Sequence, residues 1–172
     1  MEQQLVNLLM YTLPALITGA IAYLFFKAHV TNETNRRDFL ITKDLQKESF
    51  PLRLQAYERM ALFSERINPS KLLIRVKPLS ANKDDYETLL IANIEQEFEH
   101  NLSQQIYVSN ECWSIITTTK NATIQLIRTA NMNEKTDSAE KLQEVILTAL
   151  MDKETPSSVA LSYIRNEVSK MW

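Results

Sequence analysis

From Gln3 to Phe26 the chain reads QQLVNLLMYTLPALITGAIAYLFF, without a charged side chain, and Lys27 ends the run. A helix needs about 20 predominantly apolar residues to cross a hydrocarbon core of ~30 Å. The stretch therefore predicts one transmembrane helix. Past it the pattern breaks into shorter amphipathic segments. Thr31 to Ser49 is polar with scattered Phe39, Leu40, Ile41 and Leu45 and holds neither Pro nor Gly, which suits a helical stalk. Pro51 predicts a break, since proline is tolerated in a first helical turn. From there to Ile67, the residues Ala56, Met60, Phe63 and Ile67 follow a four-three-four spacing, a coiled-coil-like seam. Tyr57-Glu58-Arg59-Met60 recurs seven residues later as Ser64-Glu65-Arg66-Ile67. Asn68-Pro69 predicts the end of that helix.

Residues 71–77, KLLIRVK, fit either a short strand or a helical turn, because periodicity does not decide so short a run. Asp84-Asp85 open a helix expected to reach about Tyr107, acids suiting the positive end of the helix dipole. Its apolar arc holds Tyr86, Leu90, Ile94, Phe98, Leu102 and Ile106, with Asn101 and Gln105 projecting onto it and Glu97 at its flank. Ser109 or Asn110 is expected to cap a helix running to about residue 132. Within it, residues 113–119 include a β-branched run that reads locally as strand, but Trp113, Ile116, Thr123, Ile127 and Ala130 keep helical spacing. Asp137 with Glu140 resembles a capping box, followed by Leu142, Val145, Ile146, Ala149 and Leu150. Thr155-Pro156 starts a last helix with Ala160, Tyr163, Ile164, Val168 and Met171 on one row. Trp172 is expected to pack back or to face a partner. The predicted fold class is all-α, with an anchor in 1–30, a juxtamembrane stalk in 31–50 and a helical bundle in 51–172. The one reservation is a β segment near 72–76.

Composition narrows the function. The formal net charge is −2, so no field of one sign points to nucleic acid. Cys112 is the single cysteine, so no intrachain disulfide forms, which suits a reducing compartment. The single glycine, Gly19, lies in the apolar run. The remainder thus lacks the Gly-rich phosphate loop, the dinucleotide fingerprint and the nucleophile elbow. The first residues carry no basic side chain, as a cleaved signal would require. Ala20-Ile21-Ala22 imitates a cleavage site, but Tyr23-Leu24-Phe25-Phe26 continues the apolar run past it, which favours a retained anchor. Lys27, Arg36 and Arg37 follow the run and no Lys or Arg precedes it. The positive-inside rule then places the C-terminal domain in the cytoplasm. Tyr11 and Tyr23 stand where interfacial aromatics anchor a span. Ala15 with Gly19, and Thr18 with Ala22, have the small-xxx-small spacing of helix–helix contacts.

The chemistry-bearing residues are few. Glu97 projects toward the core and requires a partner, and Arg59 or Arg66 is the expected one. Glu97-Phe98-Glu99-His100 holds a Glu-x-x-His of the kind that binds metal in helical bundles. With His29 the only other histidine, a di-metal site would need a symmetric dimer, and His100 points away from the apolar arc. No catalytic residue, metal site or cofactor is expected.

The blocks PLRLQAYERMALFSERINP (51–69) and EFEHNLSQQIYVS (97–109), with TLPAL (12–16), resemble a family of uncharacterised single-span membrane proteins of Bacteroidota. The resemblance implies an N-terminal anchor and a helical cytoplasmic domain, and supplies no catalytic residues. It directs attention to Arg53, Tyr57, Glu58, Arg59, Glu65 and Arg66, and to Glu97, Glu99, His100, Asn101 and Gln104. The expectation is a non-enzymatic interaction or scaffold module of the inner membrane, a subunit or regulator of a larger complex or a homo-oligomer. Membrane lipid and a protein partner are expected, with no nucleic acid and no small-molecule substrate. The interaction candidates are Arg59, Arg66, Glu97, His100 and Asn101, and the membrane-flanking ones Lys27, Arg36 and Arg37. The alternatives are a dimeric metalloprotein using Glu97 and His100, and a lipid sensor acting through the basic stalk.

Overall fold

The computed structural model describes residues 2–151 and 154–171, without the side chains of residues 2, 4–9 and 15. Trp172 and the side chain of Ala15 lie outside that description. Among the described residues six α-helices follow one another: α1 (Glu2–Arg66), α2 (Pro69–Arg75), α3 (Lys83–Glu99), α4 (Asn110–Asn131), α5 (Ala139–Ala149) and α6 (Pro156–Ser169), with a 3-10 turn at Leu102–Ile106. No strand occurs among the described residues: residues 71–75 lie in α2, which ends at Arg75, and residues 113–119 lie in α4. The chain divides into two compact units, one ending at Ser49 and one from Phe50 to the C-terminus.

In the first unit the helix exposes its apolar side chains. Leu16 is 72% exposed, Ile21 62%, Leu24 64% and Phe25 74%, and the apolar window is uncovered by the rest of the molecule. Thr18, Thr31 and Thr34 return their hydroxyls to the carbonyls four residues back, at 2.8 to 2.9 Å. The helix assignment runs through Pro51, where a break was expected. Proline there removes one N–H from the ladder, and the helix continues because the residues that follow are held by the core.

In the second unit the seam of α1 is buried: Ala56, Met60 and Ile67 are 0% exposed and Phe63 1%. Phe63 meets the Phe98 ring at 5.8 Å, and Phe98 stacks on Trp113 at 5.3 Å. α4 packs against α3, α5 and α6. Its threonines adopt helix because their hydroxyls have acceptors: Thr117 donates to Trp113 O and Thr123 to Thr119 O. These bonds offset the entropic penalty of β-branching.

Capping sets the remaining boundaries. Asn68, Asn82, Ser109, Ser138 and Thr155 each accept a backbone N–H at the start of a helix. The cap of α5 is thus Ser138, one residue after the expected Asp137. α3 stops at Glu99, short of the expected Tyr107. Asn101 donates its side-chain amide to Glu97 O at 2.7 Å, competing with the backbone as asparagine does. The arc consequently breaks: Leu102 is 40% exposed and Ile106 73%. Ala149, expected in the core, is exposed as well.

Two buried tyrosines tie distant segments together. Tyr57 donates to Glu167 Oε1 at 2.9 Å and accepts the Ser109 N–H at 3.1 Å. Tyr86 donates to Val76 O at 2.8 Å and accepts from Gln143 at 2.7 Å. Burial raises the pKa of both hydroxyls. Cys112, fully buried, has its thiol pushed up to about 12 by desolvation and then by the nearby Glu167 carboxylate. The folded thiol keeps its proton where the unfolded one has lost it. Stability is therefore full below the ordinary value of 9.0 and falls as pH rises from there to about 12. Tyr57 and Tyr86 act in the same direction above 10.0. Two outcomes are expected: a urea midpoint that drops steeply above pH 9, and a thiol that reacts with a disulfide reagent only at the rate of unfolding. A rapidly labelled native thiol would refute the second.

Candidate functional site

An open polar groove of about 800 Å³ lies between the last turns of α1 and the second half of α3. α1 contributes Gln55, Glu58, Arg59, Leu62, Phe63 and Arg66, and α3 contributes Asn93, Gln96 and Glu97. Arg75 from α2 and His100 with Asn101 beyond α3 complete it. The arrangement follows from local sequence. The four-three-four seam turns Ala56, Met60 and Phe63 inward, so positions between them, Glu58, Arg59 and Leu62, rim the opening.

Glu97 is the centre of the groove's electrostatics. Its side chain is 16% exposed, and Oε1 lies 2.6 Å from Arg66 and 3.4 Å from Arg75. Arg75 also donates to Arg66 O at 3.3 Å, so one guanidinium links the ends of α1 and α2 to α3. A half-buried carboxylate between two guanidiniums is held by charge-assisted hydrogen bonds. Arg59, Arg66 and Arg75 face only Glu58 and Glu97 as acids, so the lining carries an excess of positive charge. Glu97→Gln is expected to lower the urea-unfolding free energy by about 1 kcal/mol, and by less at high salt. An unchanged midpoint at low salt would show the pair to be energetically idle.

The structure places Arg66, Glu97, His100 and Asn101 together on this groove, with Arg59 on its rim. His100 is exposed at the end of α3. Glu97 Oε1 is engaged by Arg66 and Arg75. Among the described residues no group of three or more His, Cys, Asp and Glu side chains is arranged to hold a metal. Arg75 was not singled out in the sequence, because it lies in the ambiguous run 71–77. Gln55, Asn93 and Gln96 were not either, because their spacing looks like any solvated helix face. Arg36 and Arg37 are exposed and stand 3.9 and 3.6 Å from Glu33, which offsets part of the basic charge a lipid sensor would use. Glu95 binds Lys120 at 2.8 Å, and the Lys120 ammonium also sits 4.5 Å from the Phe98 ring centre.

These features define a class: an all-α protein with, among the described residues, one helix long and apolar enough to cross a membrane, followed by a helical bundle with a charged groove. Across residues 3–171 the chain matches the model described as Family of unknown function (DUF7935), and it belongs to that family. No curated protein and no solved structure matches it.

Proposed function

We propose that the chain is a membrane-anchored interaction module. The Gln3–Phe26 helix is a retained single span of the inner membrane, with the N-terminus outside and the bundle in the cytoplasm. The bundle scaffolds or regulates a larger membrane complex or a homo-oligomer, without catalysis or a cofactor of its own. The observation that carries this reading is the uncovered apolar helix. A soluble monomer rarely exposes contiguous apolar patches beyond a few hundred Å², and Leu16, Ile21, Leu24, Phe25 and Phe26 are each more than half exposed. Lys27 followed by Arg36 and Arg37 supports the orientation. The charged groove supports recognition of a macromolecular surface. In-cell crosslinking followed by detergent extraction and size measurement tests the reading. Covalent adducts of defined size are expected. A monodisperse monomer that crosslinks to nothing in cells would refute it.

A further inference from the structure

Opposite its buried seam, the last part of α1 carries a second stripe. Leu62 is 56% exposed, and Gln55, seven residues earlier, is exposed too. At ~100° per residue, these two form the middle of the stripe. Glu58 and Glu65 line one side of it, and Arg59 and Arg66 line the other. The heptad repeat of Glu-Arg thus keeps each sign on its own flank. Arg66 and Glu65 have partners in the chain, Glu97 and Lys71. Among the described residues, the side chains of Glu58 and Arg59 have no hydrogen-bond or ion-pair partner. The groove beside the basic flank also carries the excess of positive charge already described.

Symmetry selects what this face fits. A two-fold axis along the helix sets the acidic flank of one copy against the basic flank of the other, and does so twice. An axis across the helix sets acid against acid and arginine against arginine. We propose that the exposed stripe of α1 is a parallel homodimer interface, with Leu62 and Gln55 meeting their own counterparts and Glu58 of each copy facing Arg59 of the other. The proposal rests on the anchored-module reading and names its partner as a second copy. The buried seam Ala56, Met60, Phe63 and Ile67 is already occupied by the chain's own core, so it does not compete as the contact.

The test uses the full chain in detergent micelles, with mass measured by light scattering. The wild type is expected to be a dimer. Glu58→Arg and Arg59→Glu each replace two exposed ion pairs by two like-charge contacts, which weakens self-association by about tenfold or more. Combining the two exchanges the flanks and restores it. Both positions are exposed, so an unchanged circular-dichroism spectrum will exclude misfolding. Gln55→Cys is expected to form a disulfide-linked dimer on mild oxidation in membranes, since Cys112 is buried. A pairing in the opposite sense about Leu62 would leave the two positions apart. A monomeric wild type, an uncrosslinked Gln55→Cys, or a double variant as weak as the singles would each overturn the proposal. A monomer that still carries another protein out of the membrane would sink the dimer and leave the anchored module standing. A monomer with no protein neighbour would sink both.

Discussion

Phe63→Ala is expected to destabilise the bundle by about 3–5 kcal/mol, the range for truncating a buried phenylalanine. Phe63 is 1% exposed and opens a row of rings, Phe63 on Phe98 and Phe98 on Trp113. Its loss leaves a cavity where α1 meets that row, and the row cannot close over it without moving Lys120 off the Phe98 face. Single domains are stable by only about 5–15 kcal/mol, so the variant removes a large share of the total. Urea titration followed by near-ultraviolet circular dichroism measures this directly. Leu102→Ala is the matched control. Sequence spacing placed Leu102 on the same apolar arc as Phe98, but it is 40% exposed after α3 ends, and its truncation is expected to cost less than about 0.5 kcal/mol. Equal losses in the two variants would contradict the observed end of α3.

That pair of residues shows where periodicity stops informing. Angular projection assumes an uninterrupted helix; it placed Tyr86, Leu90 and Ile94 in the core and Glu97 at its flank, where Arg66, one of the two expected partners, meets it. It failed past Asn101, where a single side-chain amide takes a backbone carbonyl and turns the chain. The Thr155-Pro156 start was legible because a hydroxyl before proline has few other uses. Asn82 was missed as a cap because it sits in a polar run with no contrast. Ser138 and the expected Asp137 are adjacent and both cap well. Tyr57 with Glu167 was out of reach for a different reason: the partners are 110 residues apart, and no local spacing encodes such a pair. The groove was legible as charges needing partners. Its third arginine was not, because α2 is too short to show a period.

Charging the apolar run is expected to have the largest effect of all. In the full chain, Leu16→Arg with Ile17→Arg replaces two apolar residues near the middle of Gln3–Phe26. Each exchange moves the insertion free energy by about 3–4 kcal/mol, so the pair turns a favourable span into an unfavourable one. The wild-type chain is expected to stay in the membrane pellet through an alkaline carbonate wash, and the double variant to leave it or be degraded. The wash acts differently on the two units. Strong alkali weakens the bundle, because only unfolding lets the Cys112 thiol, raised to about 12 in the fold, ionise, along with the raised Tyr57 and Tyr86 hydroxyls. The apolar run carries no charged residue, so retention reports the helix and not the fold beyond it. The intact mass of the pelleted wild type completes the argument. A chain that retains residues 1–26 is anchored by them, whereas a shortened chain cut after Ala22 would show Ala20-Ile21-Ala22 to be a processed signal and end the anchored reading.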